Sequence, residues 1–125
     1  MFIEPSRRQI KELATSPKTG PVVMINLLRY RPEGGAAAYA RYGDAVLPCL
    51  ARVGARVVWQ GRPDSVVIGE DADLWDAVLL VEYPSRQAFL DMVSSTQYQA
   101  IAGIRTEALA DSRLIACNQV VPAGS

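Results

Sequence analysis

PVVMINLLRY, residues 21–30, carries an apolar side chain at every position from Val22 to Leu28 except Asn26. Side chains alternate faces along a strand, so a strand with one wet face alternates apolar and polar residues. This one does not, and its pattern asks for cover on both sides. Residues 76–83, DAVLLVEY, read the same way. Two such strands in a chain of 125 residues make one domain around a central strand pair.

Working outward, residues 1–20 form an N-terminal helical extension. Ser6 and Gln9 have the spacing of a capping box, and Ile10 and Leu13 give a short apolar face, placed over one edge of the sheet. Residues 15–20, TSPKTG, end that helix. The α+β domain spans 21–120, and 121–125 is a fraying tail. After the first strand comes the loop RYRPEGG, residues 29–35, and then a helix to about Val53 with its apolar stripe at Tyr39, Tyr42, Val46, Cys49 or Leu50, and Val53. Pro48 lies inside it and leaves the Asp44 carbonyl without its helical donor. Residues 55–60 and 65–69 read as one strand broken at Gly61 and resumed, with a hairpin as the alternative. An acidic loop covers 70–74. Ser85 caps the next helix; Ser94 and Gln97 suggest a break and a restart through Tyr98 and Ile101. A turn at Gly103, a helical piece near 106–110 and a last strand over 112–120 complete the chain.

The order is β–α–β–β–α–β. In the ferredoxin-like arrangement the first and third strands are central, and these are the two doubly apolar runs. The helices of such a four-stranded antiparallel sheet cover one face. The other would expose more apolar surface than the ~300–600 Å² patch usual on a monomer, so a homodimer packed sheet to sheet is expected.

Thirteen basic residues balance thirteen acidic ones, which argues against a nucleic-acid partner. No apolar run approaches the ~20 residues of a membrane span, and the first residues lack a signal-peptide core, so a cytoplasmic protein is expected. Cys49 and Cys117 fit no metal or redox spacing and read as buried free thiols. There is no histidine, and the two lysines, Lys11 and Lys18, precede the domain. Serine–histidine triads, histidine-bound haem, ordinary zinc catalysis and Schiff-base chemistry are all disfavoured. No metal or cofactor is expected.

The segments PVVMINLLRYR, AAYARYGDAVLP, WDAVLLVEYPSRQAFLDM and YQAIAGIRTEALADSRLI resemble the domain-of-unknown-function family thirteen-thirty of the dimeric α+β barrel superfamily. The resemblance spans about residues 20–118, and its most specific part is the strand–Pro–Ser–Arg–helix element over 82–89 followed by Tyr98. It implies the ferredoxin-like fold and a barrel-forming dimer. Across the superfamily, relatives include cofactor-free antibiotic-biosynthesis monooxygenases, lactone isomerases and haem enzymes. The haem branch is the least similar, for want of a histidine ligand.

A small-molecule pocket in this architecture lies between sheet and helices. Asn26, an amide inside an apolar strand, either orients a ligand or bonds a neighbouring backbone group. Tyr39 and Tyr42 face the sheet, as core or with a hydroxyl in a cavity. With Asn26 they are the catalytic candidates, able to hold an enolate or phenolate. Trp59 and Trp75 could wall a flat ligand or simply pack. Arg29, Arg62 and Arg105 could grip a carboxylate, the alternative being ion pairs with Glu82, Asp64 or Glu107. Trp59, Arg62, Trp75, Tyr98 and Arg105 are the substrate-binding candidates; Asp44, Glu70 and Asp76 are carboxylates that could serve as a base, and Arg86 reads as a first-turn helix residue. Two functions fit: a cofactor-free enzyme using proton transfer or oxygenation on an aromatic or carboxylated metabolite, or a non-catalytic binding or interaction domain.

Overall fold

A computed structural model describes residues 1–120; the tail expected over 121–125 lies outside the described residues. Helix α1 (Arg7–Ala14) precedes β1 (Val22–Tyr30), α2 (Gly35–Arg52), β2 (Arg56–Gly61), a 3₁₀ turn (Asp71–Asp73), β3 (Ala77–Tyr83), α3 (Arg86–Ser94), α4 (Thr96–Gln99), α5 (Ala102–Ala108) and β4 (Leu109–Cys117). The sheet runs β2-β3-β1-β4, antiparallel throughout. This is the ferredoxin-like α+β fold, with the two apolar strands in the middle as their composition requires.

The register divides the side chains between two faces. Val22, Met24, Asn26 and Leu28 of β1 pair with Tyr83, Val81, Leu79 and Ala77 of β3. That face meets the helices: Val22, Met24, Val81 and Tyr83 join Tyr42, Val46, Cys49 and Leu50 of α2 and Phe89 and Met92 of α3 in one core. Leu28, Ala38, Ala108 and Leu109 form a second core at the far end of the strands. Val23, Ile25 and Leu27 pair with Glu82, Leu80 and Val78 on the opposite face, which no helix among the described residues covers, and all six are only partly buried.

Local chemistry explains most boundaries. Ser6 and Gln9 form the capping box of α1, and Ser85 Oγ accepts the Ala88 amide to start α3. Helix α2 runs through Pro48 without interruption. At its start Gly35 packs so closely that a Cβ would lie 2.7 Å from the Ala108 carbonyl and 3.0 Å from Tyr30 Cβ. Only glycine lets α2 begin there.

Several expectations need correction. The second strand does not resume after Gly61; residues 62–70 form a loop. Pro63 has no N–H to give a ladder, and the bulge falls between Val57 and Trp59 instead. Ser95, not Ser94, caps α4: Ser94 Oγ donates back to the Leu90 carbonyl at 2.8 Å, while Ser95 Oγ accepts the Tyr98 amide at 3.1 Å. Gly103 lies inside α5, and β4 begins at Leu109 because Ala108 and Leu109 are both fully buried. Helix α1 packs on α3 rather than over a sheet edge. The residues before α1 reach the edge: the Phe2 amide donates to Asp111 Oδ1 at 2.8 Å and its carbonyl accepts from Ser112 Oγ at 2.6 Å. Cys49 is buried, but Cys117 is only partly so.

Candidate functional site

β1 runs out, β2 ends, β3 begins and α2 starts at the same end of the sheet, and an open cleft of about 670 Å³ lies among them. Tyr30, Arg31, Gly34, Gly35, Arg62, Trp75 and Asp76 line it. Asp76 Oδ2 accepts the Tyr30 amide at 2.8 Å, pinning the end of β1 to the start of β3. Trp75 is held by cations: the Arg29 guanidinium lies 4.5 Å from its ring centre and that of Arg113 5.1 Å. Arg29 Nη2 donates to the Ala72 and Leu74 carbonyls at 2.6 and 3.3 Å, and Arg31, on the cleft, donates Nε to the Leu109 carbonyl at 3.2 Å. Among the described residues Arg62 makes no hydrogen bond or ion pair, so it is the cation of this cleft free to meet an anion. Glu82, the sequence-based partner for Arg29, pairs with Arg56 at 3.3 Å.

A row of phenols leads inward from the cleft. Ring centres are 5.6 Å apart from Tyr30 to Tyr39, 5.3 Å from Tyr39 to Tyr42 and 6.3 Å from Tyr42 to Tyr98. The last two share a hydrogen bond of 2.9 Å between their hydroxyls. Burial pushes the Tyr39 phenol up to about 12, against the pull of the Arg105 charge. Burial, then the neighbouring Tyr98, raises Tyr42 further, and burial also raises Tyr83. Tyr30, nearer solvent, is raised by burial and Asp76, with Arg62 opposing. These hydroxyls keep their protons at neutral pH and can donate hydrogen bonds, but they cannot act as bases.

The other candidates are dispersed. Asn26 lies on the helix face of β1, and its Nδ2 donates to the Met24 and Leu79 carbonyls at 3.3 and 3.5 Å. No hydrogen bond joins it to Tyr39 or Tyr42 among the described residues. Trp59 pairs with Leu80 on the helix-free face, 55% exposed and packed over Gly61, so the two tryptophans do not make one wall. Arg105 donates to the Ile3 carbonyl at 2.8 Å. Asp44 and Glu70 are exposed and lie outside the cleft.

Two features went unread in the sequence. Tyr30 and the Gly34–Gly35 pair build the cleft, and the double glycine was the available signal. Arg86 is not an ordinary first-turn residue. It is only 9% exposed, donates to Asn118 Oδ1 at 2.7 Å, and leaves Nη1 without a partner. Nothing in the sequence joins positions 86 and 118.

Among the described residues no group of three metal-ligating side chains converges, and no helix is long and apolar enough to cross a membrane. The chain is similar to a protein of unknown function from Rhodopseudomonas palustris, 36% identical over 97% of this chain and 98% of that one, with a TM-score of 0.92. More distant likenesses show the fold alone. One is a dimeric ferredoxin-like protein of unknown function from Bacteroides fragilis: 16% identity, 81% and 98% coverage, TM-score 0.58. Another is a putative antibiotic biosynthesis monooxygenase from Bacteroides thetaiotaomicron: 13% identity, 85% and 95% coverage, TM-score 0.57. No curated protein matches. The sequence profile of one family covers residues 34–119, taking in the Pro–Ser–Arg element, Tyr98 and most of the cleft: this chain belongs to the family described as Domain of unknown function (DUF1330).

Proposed function

We propose that the protein is a homodimer that binds a small aromatic, carboxylated metabolite in the cleft at the end of β1. The observation that carries this reading is the meeting of a free Arg62 with Tyr30 and Trp75 around about 670 Å³ of open space, a volume within the ~300–1,000 Å³ of small-molecule sites. The aromatic rings supply flat contact area and Arg62 a bidentate grip on a carboxylate. Turnover at this site would be cofactor-free. Asp76, on the same cleft as Arg62, is the carboxylate able to accept a proton from the bound molecule, and Tyr30, which lines the cleft and whose phenol is held above its ordinary value by burial and by Asp76, is the donor able to steady an enolate or phenolate. The neighbour named as a putative antibiotic biosynthesis monooxygenase supports one form of that chemistry, oxygenation of an activated phenol by O2, in which one oxygen atom enters the ring to give a quinone, the other leaves as water and the substrate itself supplies the electrons.

The dimer is supported by the uncovered face, where Val23, Ile25, Leu27, Val78 and Leu80 stand together and Trp59 and Ile115 are 55% and 49% exposed. A purely binding role is favoured by one specific arrangement: the Asn26 amide already serves two carbonyls and the Tyr42 hydroxyl serves Tyr98.

A thermal-shift panel of aromatic carboxylates and their uncharged amides tests the site. A carboxylate at one hundred times its Kd should add about 2.7 kcal/mol, its amide much less, and Arg62→Met should erase the difference. A panel that shifts wild type and R62M alike overturns the reading. Turnover of a bound compound lost in both Asp76→Asn and Tyr30→Phe, with binding kept, separates the enzyme from the binding protein.

A further inference from the structure

We propose that the loop over residues 65–69, SVVIG, is an arm that seats on β4 of a second copy of this chain. This rests on the homodimer proposed above and names an element that would complete it. Val67 and Ile68 are 90% and 96% exposed, and the turn that follows them is pinned by hydrogen bonds. The Glu70 amide donates to Asp73 Oδ2 at 2.9 Å and the Asp73 amide to the Glu70 carbonyl at 2.9 Å. Gly69 sits at φ +145°, and a Cβ there would lie 2.7 Å from Asp73 Oδ2 and 3.0 Å from Val66 Cγ1. Two large aliphatic side chains held in water just ahead of a hydrogen-bonded turn have the form of an anchor.

Three observations choose the occupant. The segment has strand-forming side chains but no ladder partner in its own chain. β4 is an edge strand: Phe2 meets it from Asp111 to Arg113, whose guanidinium lies 4.8 Å from the Phe2 ring centre, while Leu114 and Ile115 beyond are 44% and 49% exposed. Charge agrees, since Asp64, Glu70, Asp71 and Asp73 flank the arm and Arg113 stands beside Leu114 with its side chain 40% exposed, also bonded to Asp111. Symmetry supplies the reach. When two sheets pack through their helix-free faces about a two-fold axis parallel to the strands, the β2 edge of each copy falls opposite the β4 edge of the other. The arm follows directly from β2. Each copy then lends one arm and receives one, as an isologous contact requires, and main-chain pairing along the open edge seals it.

The test is sedimentation equilibrium of wild type and of the V67S/I68S double variant, whose fold is checked by circular dichroism because both side chains are free of the core. The expected result is a wild-type dimer that weakens by at least about a hundredfold in the variant, since the symmetry counts each lost anchor twice. A variant that dimerises as tightly as wild type overturns the arm, leaving the loop to some other partner, while the homodimer stands. A wild-type chain that is monomeric at micromolar concentration overturns the homodimer itself. In a C117S background, mixing I68C chains with L114C chains should give a disulfide between copies that neither gives alone. Failure of the mixture to cross-link, or cross-linking of I68C chains to one another, overturns the β4 docking site.

Discussion

Arg86 is the one charged residue buried among those described, and a neutral amide, Asn118, is its side-chain partner. Removing a guanidinium's partner leaves a buried charge uncompensated, whereas removing the charge and keeping the stem's packing leaves little behind. Asn118→Ala should therefore cost about 1.5–3 kcal/mol in urea unfolding, and Arg86→Met distinctly less; an equal loss in the two would show that packing, not charge, is what Arg86 supplies. The Tyr42–Tyr98 hydroxyl pair obeys the same asymmetry. Tyr98→Phe strands the buried Tyr42 hydroxyl at a cost of about 1–3 kcal/mol, and adding Tyr42→Phe should recover part of it. The pH dependence of the phenols has a definite sign. Below pH 10 folded and unfolded chains both hold the Tyr39 proton, so its contribution is fully present. Above 10 the unfolded chain releases a proton that the folded one keeps until about 12, so stability falls as pH rises through that window. Phenolate absorbance should then appear together with unfolding, and Tyr39→Phe should shift the midpoint upward. Tyrosines that titrate smoothly with no loss of structure would contradict this.

At the scale of elements, the first residues and β4 form a small unit of their own. Asp111 accepts the Phe2 amide, the Arg113 guanidinium and the Ser112 amide, and these bonds, the Phe2 amide foremost, hold its carboxyl at about 2. A depressed acid gives its contribution above the ordinary carboxylate range and loses it as pH falls through the folded value. Amide exchange at Phe2 should be slow at pH 5 and lose its protection between pH 4 and 2, while β1 stays protected; protection at Phe2 unchanged at pH 2 would sink the assignment. Asp111 also shows what a sequence can and cannot say. The Ser6–Gln9 capping box, the Ser85 cap and the central pair β1 and β3 were legible because each is decided within a few residues, by hydrogen-bond spacing or by apolar side chains on both faces, whereas Ser94 and Ser95 offered the same cap and only the fold chose Ser95. The strand expected over 65–69 was not, since Val and Ile mark an unpaired arm as strongly as a strand. The Phe2–Asp111 and Arg86–Asn118 contacts are 109 and 32 residues apart in the chain, and only the fold brings them together. Of the site candidates, Arg62 and Trp75 share one cleft because both flank the β2–β3 connection. Asn26 and Trp59 were set apart by side-chain alternation, one on the helix face and one on the free face.

For the whole molecule the decisive fact is that no helix among the described residues covers one face of the sheet. Ile25 and Leu80 are paired across its middle, with Trp59 beside Leu80 and Ile115 beside Ile25. Each large apolar side chain removed from water is worth about 1.5–3 kcal/mol, and a sheet-to-sheet dimer gains that from both copies at once. In the proposed dimer folding is linked to association: anything that binds the folded state alone raises stability by mass action, and there the ligand is a second copy of the chain. The melting temperature should climb with protein concentration across the micromolar range. Leu80→Glu should abolish the climb, because a carboxylate in a desolvated centre costs more than the lost aliphatic contact, while the separate core of β1, β3, α2 and α3 keeps the monomer folded. The two outcomes divide the reading cleanly. A melting temperature that ignores concentration in wild type removes the dimer. A climb that persists in L80E moves the interface off this face, for a glutamate could not be tolerated at the middle of a sheet that another sheet covers.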